Sequence, residues 1–279
     1  MTPDDPAAPA SMRAGEGEVL ETGSEGTTPD GDNLLLGFVR GTVASWRAMA
    51  GAAGCASLEA DGVAAADCGS PADLLNWAVL TRPLDTASAP GVVASLRAFF
   101  AQRPGGPYLV VSAWPAPDLR PAGLHLVGHP PLMLRAPAPQ APAPPGLVVR
   151  EVADDATAAD FERTLIEGYP LPALRLDVRG AAVPVFGVAA WHHFVGYADG
   201  RAVATAASWV HDDHVRIDFV ATLPEARGHG YGAALTAAAA AAAPALPALL
   251  VASDLGRPVY VRMGYLPVLR CTVWEGDRA

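Results

Sequence analysis

Val220-Ala-Thr-Leu-Pro-Glu-Ala-Arg-Gly-His-Gly-Tyr-Gly-Ala233 is the stretch on which the reading of this chain turns. A strand-like run, His214–Ala221, leads into a glycine-rich turn, and the turn opens a helix expected over Gly230–Ala243. The first N–H groups of a helix lack internal partners, and the helix dipole places positive potential there. Glycines let that backbone approach a ligand closely, so the pattern describes an anion cradle made of main chain rather than of a lysine. It is not a P-loop, because the Lys-Ser/Thr pair is absent. It is also a poor dinucleotide fingerprint, because an antiparallel meander precedes it and no βαβ unit follows.

Working outward, Leu147–Val152 reads as a strand and Thr157–Ile166 as a helix opened by Thr157. His193–Tyr197, Arg201–Val210 and His214–Ala221 read as three strands, joined by turns at Asp199-Gly200 and Asp212-Asp213. Beyond the cradle come a strand over Ala248–Ala252, a short helix over Arg257–Met263 and a final strand pair near Tyr265–Trp274. The order β-α-β-β-β-α-β-α-β is that of a mixed α/β sheet. The alanines of Ala237–Ala243 favour the helix and permit close helix–sheet packing, and Pro244 limits it.

Toward the N-terminus, Ala136–Gly146 (APAPQAPAPPG) has the composition of an extended, semi-rigid linker and is the expected domain boundary. Before it, Leu34–Ala50 and Pro90–Gln102 show apolar residues at helical spacing, while Tyr108–Trp114 and Leu124–Leu134 are strand-like. Residues 1–32 are poor in large apolar groups and are expected to be a disordered acidic tail.

The turn Arg227-Gly-His-Gly-Tyr-Gly232 resembles the signature of the GNAT acyltransferases, Gln/Arg-x-x-Gly-x-Gly/Ala, and Val220–Pro224 is similar to the residues that precede it in bacterial members. Ser253–Tyr265 resembles the C-terminal stretch of the family, in which a Tyr (here Tyr260) lies four residues before a Gly-aromatic pair (Gly264-Tyr265). Together these cover about residues 147–279. The resemblance implies a mixed, mostly antiparallel sheet flanked by helices and an N-acetyltransferase that uses acetyl-CoA as co-substrate. Backbone groups of Phe219, Val220 and Ala221 would pair with the pantetheine arm. Arg227, Gly228, His229, Gly230, Tyr231, Gly232 and Ala233 would form the pyrophosphate cradle. Ser253 and Tyr260 would complete the donor site, with Tyr260 protonating the departing thiolate. Leu126–Met133 and its helix–strand context resemble the N-terminal half of tandem bacterial GNAT proteins, so residues 33–135 are expected to be a degenerate GNAT-like or accessory domain that shapes the acceptor site or a domain interface.

The catalytic base is less directly legible. Strand alternation on His214–Ala221 puts Arg216, Asp218 and Val220 on one face and Val215, Ile217 and Phe219 on the other. Arg216 stands where some relatives carry a Glu base, which is a departure from the family. Asp218, on the same face, is the candidate base, and the competing role for it is partner of a nearby arginine. Glu225 reads as a solvated loop carboxylate. No metal site is expected: His192 and His193 point to opposite faces of a strand, and His211 and His214 flank a turn where exposure is expected. Trp191, Phe194, Tyr197 and Trp209 read as core, with Trp191 able to border the acceptor pocket.

Composition narrows the class. The net charge is −10, and residues 1–32 carry eight acidic residues against one arginine, which leaves a near-neutral body with no lysine. That balance argues against nucleic acid as a partner. No apolar run reaches the roughly 20 residues of a membrane span. The three cysteines (Cys55, Cys68, Cys271) lack metal-type spacing and read as free thiols of a reducing cytoplasm, with a Cys55–Cys68 pairing as the alternative. The expected acceptor is a primary amine of a small molecule or peptide, the expected state a monomer or homodimer, and the competing function a non-catalytic acyl-CoA-binding sensor. Acceptor choice is expected to lie in the Pro-rich loop Tyr169–Ala190, whose ionic groups are Arg175, Asp177 and Arg179.

Overall fold

The computed structural model describes residues 34–169, 171, 174, 188 and 190–278. The acidic tail and most of the loop Tyr169–Ala190, including Pro170, Pro172, Arg175, Asp177, Arg179 and Pro184, lie outside the described residues.

The chain opens with α1 (Leu34–Ala53), then β1 (Ala56–Ala60), β2 (Val63–Asp67), β3 (Asn76–Leu80), α2 (Ala89–Phe100), β4 (Tyr108–Ser112), β5 (His125–Gly128) and β6 (Pro131–Arg135). The second half runs β7 (Leu147–Glu151), α3 (Asp155–Gly168), β8 (Trp191–Ala198), β9 (Arg201–Val210), β10 (Val215–Thr222), α4 (Tyr231–Ala240), β11 (Ala248–Val251), α5 (Arg257–Arg262), β12 (Leu266–Arg270) and β13 (Thr272–Gly276). These form two mostly antiparallel sheets, ordered β1-β2-β3-β4-β13-β5 and β12-β6-β11-β10-β9-β8-β7, flanked by helices. The β1–β3 strands were not foreseen. Their Ala-rich sequences, ASLEA and VAAAD among them, carry little strand propensity.

The sheets interlock across the expected boundary. Leu124–Leu134, read as one strand, is two strands parted at His129-Pro130, and they enter different sheets. β6 inserts between β11 and β12, burying Leu132 and Met133. In return β13 leaves the second half and inserts between β4 and β5, burying Val273 and Trp274. The final strands β12 and β13 therefore do not pair with each other. Residues 136–146 connect β6 to β7, two strands of one sheet, so the two sheets are not separated at that segment. The exchange is locked by Arg278, whose guanidinium forms a two-pronged, buried pair with Asp67 (2.7 and 2.8 Å) and donates to the carbonyls of Phe100, Arg103 and Gly106.

Local chemistry sets the helix boundaries around the site. Helix α3 starts at Asp155 rather than Thr157. Asp154 is the N-cap and its carboxylate accepts from the Thr157 N–H (2.8 Å), while the Thr157 hydroxyl reaches back to the Asp154 N–H, which completes a capping box. Helix α4 packs its Leu235 over Gly196 of β8, where any Cβ would come within 2.7 Å of a Leu235 methyl. A single buried apolar cluster runs from α1, α2 and β2–β4 into Phe161, Trp191, Trp209 and Leu249, so the two halves share a core. Cys55 and Cys68 form a disulfide (Cα–Cα 4.3 Å) across the open end of the β1–β2 hairpin, which corrects the free-thiol reading. Only Cys271 is free, and burial pushes its thiol up to about 12.

Candidate active site

A wedge in the seven-stranded sheet organises the site. β10 and β11 run parallel and pair at Val215↔Ala248 and Arg216↔Leu249 only. Past Arg216 the strands part, because β10 bulges between Asp218 and Ala221. Phe219 sits at the bulge with φ +54°, a left-handed conformation that costs a non-glycine residue about 1–3 kcal/mol. The Thr205 hydroxyl donates to the Phe219 carbonyl (2.9 Å) and helps hold it there. The bulge leaves backbone groups of Phe219–Ala221 without a β11 partner on the open side. It also breaks the expected alternation: Phe219 stacks on Trp191 (5.9 Å between ring centres), and the Arg216 guanidinium lies over the same indole (5.6 Å).

The glycine turn follows directly. A 3-10 turn at Pro224–Ala226 leads to Gly228 (φ +84°) and Gly230 (φ +79°), and α4 begins at Tyr231 with Gly230 as its N-cap. Both glycines occupy the left-handed region, which explains their presence without appeal to packing: a Cβ at Gly228 would meet nothing within 4 Å. No side chain caps α4, and the first intrahelical bond from this end is Ala234 N–H to Gly230 O (3.0 Å). The N–H groups of Tyr231, Gly232 and Ala233 are thus presented at an open helix terminus whose preceding residues, Arg227–Gly230, are exposed. The side chain of Arg227 does not point to this opening as a ligand group. It braces the turn, donating to the carbonyls of Thr222 (3.3 Å) and Gly168 (3.1 Å). His229 stacks on Tyr231 and shares its Nδ1 with the Ala226 and Arg227 carbonyls.

Between the wedge and the first half lies a cavity of about 170 Å³. Its floor is the bulge of β10 (Arg216–Val220) with Leu250 and Val251 of β11. Tyr260 of α5 closes one side, Trp191 another, and α1 supplies Phe38, Thr42, Trp46 and Met49 as a roof with Trp77 of β3. Burial pushes the Tyr260 hydroxyl well above the ordinary tyrosine range, reinforced by the charge of nearby Tyr169 and Tyr265 when ionised and opposed by the neighbouring Thr236 hydroxyl. It therefore stays protonated at neutral pH. Asp218 accepts from Arg216 Nε (2.7 Å), so the competing role foreseen for this carboxylate is realised alongside its place in the cavity. Arg216 in turn donates from Nη2 to the Ser45 hydroxyl of α1 (2.9 Å), a contact 171 residues apart in sequence.

The remaining candidates fall outside this cavity. Ser253 accepts from the Gly256 N–H (3.1 Å) at the entrance to α5, which orients the helix carrying Tyr260. Glu225 pairs with Arg201 on the surface. His192 faces outward to Glu151 and His193 is buried, as alternation requires. His214, expected to be exposed, is buried beneath α1, where a Cβ at Gly41 would come within 2.7 Å of its ring. His211 and His214 both direct Nδ1 to one oxygen of Asp213, at 2.9 and 2.6 Å. These three residues form a group with metal-type donor atoms. Two tetrahedral ligands of one zinc ion would stand roughly 3.3 Å apart, so the observed spacings are those of direct hydrogen bonds.

Sequence reading missed the roof. Phe38, Thr42, Trp46 and Met49 are spaced as the inner face of an ordinary amphipathic helix, and nothing local distinguishes a face that covers a cavity from one that fills a core.

Residues 159–265 match the model of the acetyltransferase (GNAT) family. This part of the chain is a GNAT domain. Whole-chain comparison shows the same fold. A GCN5-related N-acetyltransferase from Kribbella flavida aligns with TM-score 0.64 at 22% identity, covering 88% of this chain and 97% of that one. A GNAT-family protein from Novosphingobium aromaticivorans aligns with TM-score 0.58 at 16% identity, covering 90% and 100%. A tandem GNAT protein from the clavulanic acid biosynthesis pathway aligns with TM-score 0.50 at 15% identity, covering 78% of each chain. Comparison with the curated proteins gave no match. The two-sheet layout fits two GNAT-like domains, and the GNAT family supports acyl-CoA-dependent acetyl transfer in general. No helix among the described residues is long and apolar enough to cross a membrane.

Proposed function

We propose that this protein transfers an acetyl group from acetyl-CoA to a primary amine of a small molecule or peptide, by direct attack within a ternary complex. The observation that carries the reading is the cavity itself: it joins the open wedge of β10–β11 to Tyr260, and β10 runs on through the glycine turn into the bare terminus of α4. The N–H groups of His229–Ala233 would hold the pyrophosphate, and the free edge of Phe219–Ala221 would pair with the pantetheine arm as an added strand. The thioester then lies in the wedge. The amine nitrogen attacks its carbonyl carbon, the C–S bond breaks, and Tyr260 gives its proton to the departing thiolate while Asp218, directly or through water, takes one from the amine. Products are an amide and free CoA. Residues 136–146 would act as the linker between an N-terminal GNAT-like unit (33–135) and the donor-binding unit (147–279), and the strand exchange of β6 and β13 would fix the first unit as the roof over the acceptor.

Thiol release measured over a panel of primary amines tests this, with Tyr260→Phe as the variant. The rate should fall about 100-fold in the variant, the lower end of what a positioned acid contributes, while acetyl-CoA affinity holds within about twofold. The ion pair that occupies Asp218 favours a second reading, a non-catalytic acyl-CoA sensor. Binding of acetyl-CoA with no turnover on any amine, in wild type and variant alike, would select it. We place the protein in the cytoplasm, where acetyl-CoA is available, acting on soluble acceptors as a monomer or homodimer. The Cys55–Cys68 bridge pulls the other way, since such bridges persist mainly in oxidising compartments.

A further inference from the structure

Three residues that line the cavity each carry a buried hydrogen-bond donor with no partner: Nη1 of Arg216, and the indole N–H groups of Trp191 and Trp77. Arg216 is 6% exposed, and its other nitrogens are engaged, Nε by Asp218 and Nη2 by Ser45. Buried donors left unpaired cost free energy and are rare in folded proteins, so three around one cavity call for an acceptor-rich occupant. The protein itself supplies little. The Thr42 hydroxyl is already turned to the Phe38 carbonyl (2.8 Å), and Asp218 is the one carboxylate lining the cavity among the described residues. Apart from the Tyr169 and Tyr260 hydroxyls, the rest of the lining is mostly apolar, with Phe38, Trp46, Met49, Val79, Val111 and Leu250 in it.

We infer that the acceptor is a small amine with an apolar body and its own carboxylate, of the type of an apolar α-amino acid, and that Arg216 receives that carboxylate. The inference rests on the acetyl-transfer reading for the fate of the amine, but not for the recognition of the acid. Arg216 and Asp218 stand two residues apart on β10, roughly 7 Å along a strand, and are bonded to each other. A carboxylate held at Nη1 of Arg216 would leave its amine in the same cavity, which Asp218 also lines. The guanidinium, stacked on Trp191 and tied to α1 through Ser45, is held in place before the ligand arrives. A neutral amine of the same shape would leave Nη1 unpaired, which is the mode of discrimination that rejects analogues most strongly.

The carboxylate can be tested without the donor. N-acetyl-L-phenylalanine and its carboxamide, which stand for the product with and without the charge, are titrated against the full chain while tryptophan fluorescence is followed; three tryptophans line the cavity. The acid should bind at least tenfold more tightly than the amide, and Arg216→Met should bring the two level. Circular dichroism and a thermal melt establish that the variant is folded. Arg216→Lys, which keeps the charge and loses the fork, should fall between wild type and Arg216→Met. In the turnover arm, L-phenylalanine and L-leucine should exceed phenylethylamine and L-leucinamide at least tenfold in kcat/KM. Equal binding of acid and amide by the wild type would overturn the inference, and so would a preference that survives in a folded Arg216→Met. Succinyl-CoA provides the last arm. If it binds at least tenfold more tightly than acetyl-CoA through Arg216, while acid and amide bind alike, the carboxylate belongs to the donor and the inference is wrong. Failure of acetyl-CoA to bind at all would instead sink the acetyl-transfer reading and leave the acid-versus-amide comparison standing.

Discussion

Replacing Gly230 by glutamate separates two contributions that the structure keeps apart. Gly230 is the N-cap of α4 at φ +79°, and the nearest atom to a Cβ placed there is a Pro144 ring carbon at 3.6 Å, so the new side chain meets no wall. Its first effect is backbone strain, about 1–2 kcal/mol for an L-residue in the left-handed region, which lowers stability whether or not a ligand is bound. Its second effect is charge. A carboxylate roughly 6 Å from a bound pyrophosphate, at an effective dielectric near 40, adds about 1–3 kcal/mol of repulsion. That lowers acetyl-CoA affinity about 5- to 150-fold. Gly200 provides the control, with φ +76° in the β8–β9 turn and nothing within 4 Å of its Cβ position. Gly200→Glu carries the same strain and the same charge in the β8–β9 turn, outside Arg227–Ala233. Both variants should lose similar thermal stability, and only Gly230→Glu should lose affinity in calorimetric titration. Unchanged affinity in a folded Gly230→Glu would show that the anion site has been misplaced.

Other outcomes follow from the same structure. Asp67→Ala leaves the Arg278 guanidinium buried without its carboxylate; it should destabilise the protein by about 3 kcal/mol, the lower end of the range for a broken buried pair because three carbonyls still receive Arg278, and calorimetric melting checks this. Burial, with a smaller contribution from neighbouring His192, lowers His193 from its ordinary 6.5 to about 3, so the unfolded chain takes up a proton in that window and the folded one does not. Stability should therefore fall as pH drops from about 6.5 toward 3, by up to about 1.4 kcal/mol per unit from this residue, and His193→Gln should flatten the slope in urea titrations across pH. His214, also lowered by burial, should leave a residual slope in that variant.

The second half of the fold was legible because its signals are local. The Asp199-Gly200 turn, with both residues at positive φ, and the glycines at 228 and 230 each answer to a backbone requirement that one sequence can display. The strand exchange was not legible. β6 and β13 carry ordinary apolar runs, and no single sequence records which sheet will receive them. The site divides in the same way. The cradle could be read in order along the chain. The bulge that turns Phe219 toward Trp191, and the Ser45 hydroxyl that holds Arg216, depend on contacts between distant segments. The cysteine reading failed for a related reason: Cys55 and Cys68 are opposed only once β1 and β2, two weak Ala-rich strands, have paired.

Titration of the wild-type chain with acetyl-CoA in a calorimeter tests the central claim most directly. A bare helix terminus after a bulged strand occurs once among the described elements, and the account predicts saturable binding of one acetyl-CoA per chain, with affinity reduced in Gly230→Glu and retained in Gly200→Glu. Absence of binding at millimolar acetyl-CoA, or saturation at two per chain, would contradict it.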